Sequence, residues 1–119
     1  MSEDKTTTNP VIKEIEEKYP EMTKEFKKIL KEQYEIFCKK QKTYGPQNIS
    51  VGTNLETPED VKISQTGLWF RKMDKINRLK QLVLLNKENV VNETIEDTYS
   101  DLSVYSIISQ IVVRGKWGK

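Results

Sequence analysis

Three acids recur in steps of four: Glu93, Asp97 and Asp101. On a helix that spacing lines one face. Neighbouring members then stand about 6 Å apart along the axis, close enough to share one Mg²⁺ or to bracket a metal pair. The outer two, roughly 12 Å apart at the same rise, cannot grip one ion without help. Like charges four residues apart also repel. A metal, a basic neighbour or solvent must offset that repulsion. Acids near a helix start favour the macrodipole without any ligand, but Asp101 lies too deep for that account and borders an apolar stretch.

A second constellation is basic. Arg71, Asp74, Lys75 and Arg78 share one face of a helix, opposite Trp69, Met73 and Ile76. Three cations around one carboxylate can be a salt-bridge net on a wet face. They can equally form a phosphate clamp, since Arg grips phosphate through a bidentate fork. A third group is Glu32-Gln33-Tyr34-Glu35, where Glu32 flanks an apolar stripe and Glu35 points almost away from it. The fourth is Lys39-Lys40-Gln41-Lys42-Thr43-Tyr44-Gly45. There Lys40 can meet a phosphate and Tyr44 can stack on a base, or the run is simply a solvated helix end with favourably placed cations.

Composition narrows the chemistry. The 119 residues contain no histidine, which excludes Ser-His-Asp and Cys-His catalysis and His-ligated zinc within the chain. The one cysteine, Cys38, permits no internal disulfide and suits a reducing compartment. The net charge of +2 gives no reason to expect direct nucleic-acid binding. The polar start of the chain lacks the apolar core of a signal peptide. The apolar stretch 107–113 is far too short to span a bilayer. A cytoplasmic protein without membrane contact is expected. Apolar residues make up only 35% of the chain, which leaves few side chains for an interior, so a homodimer or higher homo-oligomer is expected as well.

The elements that must position these groups read as helices. Residues 1–10 read as a disordered arm and 11–119 as a single all-helical domain. Val11 to Tyr19 suits a short helix. Thr23 caps a second, about 24–43, with Phe26, Ile29, Leu30 and Phe37 on one stripe. Gly45-Pro46 stops it. A long irregular loop, 45–66, follows. Within it Thr57-Pro58-Glu59-Asp60 looks like a helix start. Gly67 precedes a third helix, about 68–86, whose apolar face is Trp69, Met73, Ile76, Leu79 and Val83. Asn92 caps a fourth, about 93–113, apolar almost all round in its second half. No strand pattern stands out. The fold class is all-α: a bundle of about four helices with a long loop between the second and third main helices.

Taken in order, Lys40–Gly45, Gly67–Leu79 and Asn92–Tyr105 resemble the nucleotide-modification-associated domain family, common in phage genomes. The resemblance covers roughly residues 36–113. That family is similar to the all-α MazG-like nucleoside triphosphate pyrophosphohydrolases, which hold Mg²⁺ through carboxylates on two helices while a metal-activated water attacks a nucleotide phosphate. The resemblance implies that Glu93, Asp97 and Asp101, with Glu32, hold Mg²⁺, with Glu93 and Asp97 catalytic. It implies that Arg71, Lys75 and Arg78 contact phosphates, to which the residue types of the basic run add Lys40 at a phosphate and Tyr44 at the base. The protein would lie in the host cytoplasm if phage-encoded. Two departures bear on catalysis: the acids are spaced Glu-x-x-x-Asp-x-x-x-Asp rather than Glu-x-x-Asp, and Thr43 stands where the family often has an acid. A non-catalytic nucleotide binder and a helical protein-interaction module are the alternative readings.

Overall fold

The computed structural model describes residues 9–119 of the chain. Residues 1–8 of the expected arm lie outside the described residues. The chain is all-α, with no strand among the described residues. Its helices are α1 (Pro10–Lys18), α2 (Pro20–Tyr44), α3 (Gln47–Ser50), α4 (Pro58–Leu79) and α5 (Ile95–Val113), and a π turn (Lys80–Leu84) continues α4. The chain divides into two compact units, one ending at Ile36 and the other spanning Phe37–Lys119.

The first unit contains α1 and the start of α2. Asn9 and Pro10 are helical signals rather than arm: the Asn9 side chain accepts from the amides of Val11 and Ile12, and Pro10 opens the helix. This is a cap followed by a residue whose missing amide proton costs nothing there. Pro20 does the same for α2, which therefore starts before the expected cap. Thr23 lies inside the first turn, and its hydroxyl donates back to the Tyr19 carbonyl at 3.0 Å. Lys27 pairs with Glu16. Two helices cannot enclose a core, and Val11, Ile12, Phe26, Ile29 and Leu30 remain exposed.

The second unit has a true core. Ile49, Leu68, Ile108, Val112 and Trp117 are buried, and Phe37, Leu55, Val61, Val104, Tyr105 and Ile111 pack around them. The principal packing is α4 on α5, with α3 laid against α4. Polar groups inside are satisfied. Ser64 donates to the Ile49 carbonyl at 2.6 Å, fixing α3 on α4, and Gln65 donates to the Ser109 carbonyl at 3.0 Å, fixing α4 on α5. The Trp117 indole donates to the Pro46 carbonyl at 3.0 Å while its ring meets Phe37 edge-on. The C-terminal turn is thereby tied to the segment just after α2.

Three expectations are corrected here. The helix start at Thr57-Pro58 is real: Thr57 accepts from the Asp60 amide at 3.1 Å, and α4 runs from Pro58 straight through Gly67. The long loop shrinks accordingly, and α3 interrupts what remains. Secondly, the buried face of α4 is carried by Ser64 and Leu68, while Trp69, Met73, Ile76 and Val83 are exposed and Leu79 is half-buried. Periodicity finds an apolar stripe but does not say which side of a helix its neighbours occupy. Thirdly, the apolar second half of α5 is not enclosed all round: Ile108, Ser109 and Val112 are buried, Val104, Tyr105 and Ile111 are half-buried against the core, and Ile107 and Val113 are exposed.

Leu68 sits at the centre of this core with 1% of its surface exposed. Truncation to Ala removes its packing against α3 and α5. Leu68→Ala should lose about 2–5 kcal/mol of stability, as read by urea denaturation followed by circular dichroism. A loss under 1 kcal/mol would contradict the core described here.

Candidate functional site

The acids and cations singled out by spacing do meet, along the α4–α5 contact. What brings them together begins with a cap. Thr94, not Asn92, caps α5: its hydroxyl accepts from the Asp97 amide at 2.9 Å, and the Asp97 carboxylate accepts from the Thr94 amide at 3.1 Å. This reciprocal pair fixes the helix start. It also takes Glu93 off the helix. The acid row of four-residue steps therefore survives only as Asp97 and Asp101, and Glu93 swings toward α4.

There Glu93 meets Lys75, whose ammonium donates to both carboxylate oxygens at 3.3 and 3.2 Å. The same ammonium stands 2.9 Å from Asp101 Oδ2, and Lys40 Nζ approaches Asp101 Oδ1 at 3.5 Å. An ammonium has three protons, and Lys75 finds an acceptor for each. Arg78 completes the cluster. Its Nε donates to Thr98 Oγ1 at 2.9 Å and lies 3.3 Å from Glu93 Oε2, while Nη2 donates to Asn89 Oδ1 and to the Glu93 carbonyl. Asn89 in turn donates to that carbonyl at 2.8 Å. Arg78 and Asn89 thus clip the segment that follows the π turn onto α4.

Thr98 is the buried pivot, with 0% of its surface exposed. Its hydroxyl accepts from Arg78 and donates to Glu93 Oε2 at 2.6 Å, so one oxygen orients a cation and an anion at once. Sequence spacing passes over Thr98, because a threonine among acids carries no charge signal. Asn89 is passed over for the same reason. The one readable hint is position: Thr98 lies five residues after Glu93 and three before Asp101.

The remaining candidates are placed as follows. Arg71 donates to the Asn48 carbonyl at 3.3 Å and lies over the Tyr105 ring at 5.9 Å, tying α4 to α3 and α5. Tyr44 ends α2 with its ring exposed, and Gly45 follows at φ 70°, a turn that only glycine adopts without strain. Asp74 is exposed. Glu32 belongs to the first unit and is exposed there.

Charge states follow the contacts. The Thr98 hydroxyl is the largest influence on Glu93 and, with Lys75 and Arg78, outweighs partial burial to hold its carboxyl below the ordinary 4.5. Hydrogen bonds from Thr94 hold Asp97 below the ordinary 3.8. Burial works against charge on Lys75, yet Asp101 and Glu93 together overcome it and raise its pKa above 10.5. All three groups are therefore charged at neutral pH.

A hard divalent ion collects several oxygen ligands. Among the described residues no group of three or more Asp, Glu or Cys side chains stands close enough to hold one. Glu93, Asp97 and Asp101 are each already engaged by donors of the chain, so as arranged they do not make a metal cage.

Residues 70–113 match the family described as "Nucleotide modification associated domain 1". The match runs from the middle of α4 to the end of α5 and encloses Arg71, Lys75, Arg78, Glu93, Asp97, Thr98 and Asp101. It supports the nucleotide-modification resemblance over the segment that carries the ion network. No curated protein and no solved structure matches the chain. No helix among the described residues is long and apolar enough to cross a membrane.

The network makes stability depend on pH in a definite direction. Carboxylates whose pKa is lowered by folding stabilise the fold above their unfolded values, and that contribution is lost as pH falls through the folded values. Glu93 and Asp97 are of this kind. Thermal unfolding followed across pH should show a stable plateau near neutrality and a decline beginning below about 4.5. Thr98→Val keeps the volume but strips Glu93 and Arg78 of their shared oxygen. It should cost about 1–3 kcal/mol at pH 7 and shrink the acid decline, because the Glu93 carboxyl rises toward its ordinary value when the Thr98 hydroxyl is lost, and Thr98→Ser should restore most of both.

Proposed function

We propose that the second unit binds a phosphorylated nucleotide on the α4–α5 face, with Lys75 at the centre and Lys40, Arg71 and Arg78 around it. The observation that supports this most is the convergence of Lys40, Lys75 and Arg78, from α2 and α4, on acids of the segment that matches a nucleotide-modification family. Lys75 and Lys40 offer point charges to phosphate oxygens, and Arg71 offers a planar fork. Tyr44 is exposed and lies four residues beyond Lys40, one turn along α2, and in this reading its ring stacks on the base.

Two forms of this reading differ in chemistry. In the first, the likeness to MazG-like pyrophosphohydrolases extends to Mg²⁺-dependent hydrolysis, with Glu93 and Asp97 catalytic and Asp101 as a further ligand. In the second, the chain binds without turnover. The geometry favours the second. Asp97 is committed to the cap of α5 and Glu93 to Thr98, Lys75 and Arg78. Both oxygens of Glu93 are thereby held by donors of the chain, as is Oδ2 of Asp97. Binding needs only that phosphate oxygens replace carboxylate oxygens on cations already assembled, a like-for-like exchange of charge-assisted hydrogen bonds.

The test is a panel of nucleoside and deoxynucleoside triphosphates, titrated by calorimetry with and without Mg²⁺, each mixture then resolved by chromatography. Binding with intact nucleotide is the expected result. Lys75→Gln should weaken it at least tenfold, with folding checked by circular dichroism. Release of pyrophosphate that depends on Mg²⁺ and is lost in Asp97→Asn would establish the hydrolytic form instead. Lack of heat with every nucleotide would remove the proposal.

A further inference from the structure

Resting on that reading, we infer that Asp101 occupies a phosphate subsite between Lys40 and Lys75 in the free protein, and that a phosphorylated ligand enters by displacing it. Asp101 presents two oxygens on one central atom, one to each lysine: Oδ2 to Lys75 at 2.9 Å and Oδ1 to Lys40 at 3.5 Å. A phosphate group presents oxygens to two cations in the same way.

The two carboxylates on Lys75 are not equally held. Glu93 is fixed by Thr98, by Arg78 and by both of its contacts to Lys75, and its backbone carbonyl is clipped by Arg78 and Asn89. Asp101 is held by two lysines, one of them at the edge of hydrogen-bond range with a half-exposed side chain. The exchange therefore falls on Asp101, and Glu93 stays to keep Lys75 in place.

Charge gives the reason for the arrangement. Lys40, Lys75 and Arg78 face Glu93, Asp97 and Asp101, three cations against three anions. A neutral cluster attracts no anion from a distance, and close contact is required before a phosphate gains anything. Asp101 thus acts as an internal competitor that sets how strongly an anion must bind to enter.

The experiment uses the full chain, with inorganic tripolyphosphate and dATP as probes, in EDTA and again in Mg²⁺. Asp101→Asn keeps the shape and removes the charge. Its affinity for both probes should rise at least fivefold, with a steeper dependence on salt, and Lys40→Ala in that background should cancel the gain. A variant that binds where the wild type does not supports the exchange equally. Wild-type binding with no gain in Asp101→Asn, or a loss confined to Mg²⁺, overturns the exchange and leaves nucleotide binding standing. No binding by either chain removes both. Should Asp101→Asn fail to fold, carboxyl ¹³C resonances of the wild type give the answer. On saturation with tripolyphosphate the Asp101 carboxyl should move and that of Glu93 should hold, and an unmoved Asp101 overturns the exchange.

Discussion

Lys75 reaches from α4 to two carboxylates on the far side of the α4–α5 contact, and the order of that face depends on this ammonium keeping its charge. Its side chain is only 19% exposed. At that burial an unpaired charge is expensive, and a paired one must have good geometry to be tolerated. Glu93 and Asp101 supply the pairing, Thr98 and Arg78 hold Glu93, and Asn89 holds the backbone behind it. Each partner is in turn needed because the next is partly removed from water. Networks of this kind couple their members, so the effect of one deletion exceeds that of a lone surface pair.

The cap of α5 is what makes the network possible. With Thr94 as cap on extended backbone and Asp97 closing the box, the helix begins one residue after Thr94 and leaves Glu93 outside it. Had the helix begun at Asn92, Glu93 would stand in line with Asp97 and Asp101. A local hydrogen-bond choice of one turn thus decides between a column of repelling acids and a neutralised cluster. It also separates two chemical futures for the same residues: aligned carboxylates suit a divalent cation, whereas interleaved acids and bases suit an exchangeable anion.

The apolar surface tells a related story. α4 turns Leu68 and Ser64 inward and leaves Trp69, Met73 and Ile76 outside. The same rotation of the helix aims Lys75 and Arg78 at α5. Core packing and ion placement are consequently not independent, since Leu68, Lys75 and Arg78 are spaced seven and three residues apart and share one side of the helix. Ser64, one turn before Leu68, pins that rotation through the Ile49 carbonyl.

Much of this was readable from residue types alone. Helical periodicity without strand alternation determined the all-α class. The cap signals of Thr57-Pro58 and Gly45-Pro46 marked true boundaries, and spacing marked out a basic face on α4 and acids at the start of α5, though not that the two would meet. These are local properties, set by the backbone and by side chains within a turn or two. The sequence could not show that Gly67 continues a helix, that Thr94 outcompetes Asn92, or that the apolar stripe of α4 faces outward. Nor could it show that an uncharged threonine lies at the centre of the charges. Those outcomes belong to tertiary structure, because each depends on which neighbour removes water from a given side chain, and burial is decided by distant residues packed together in space.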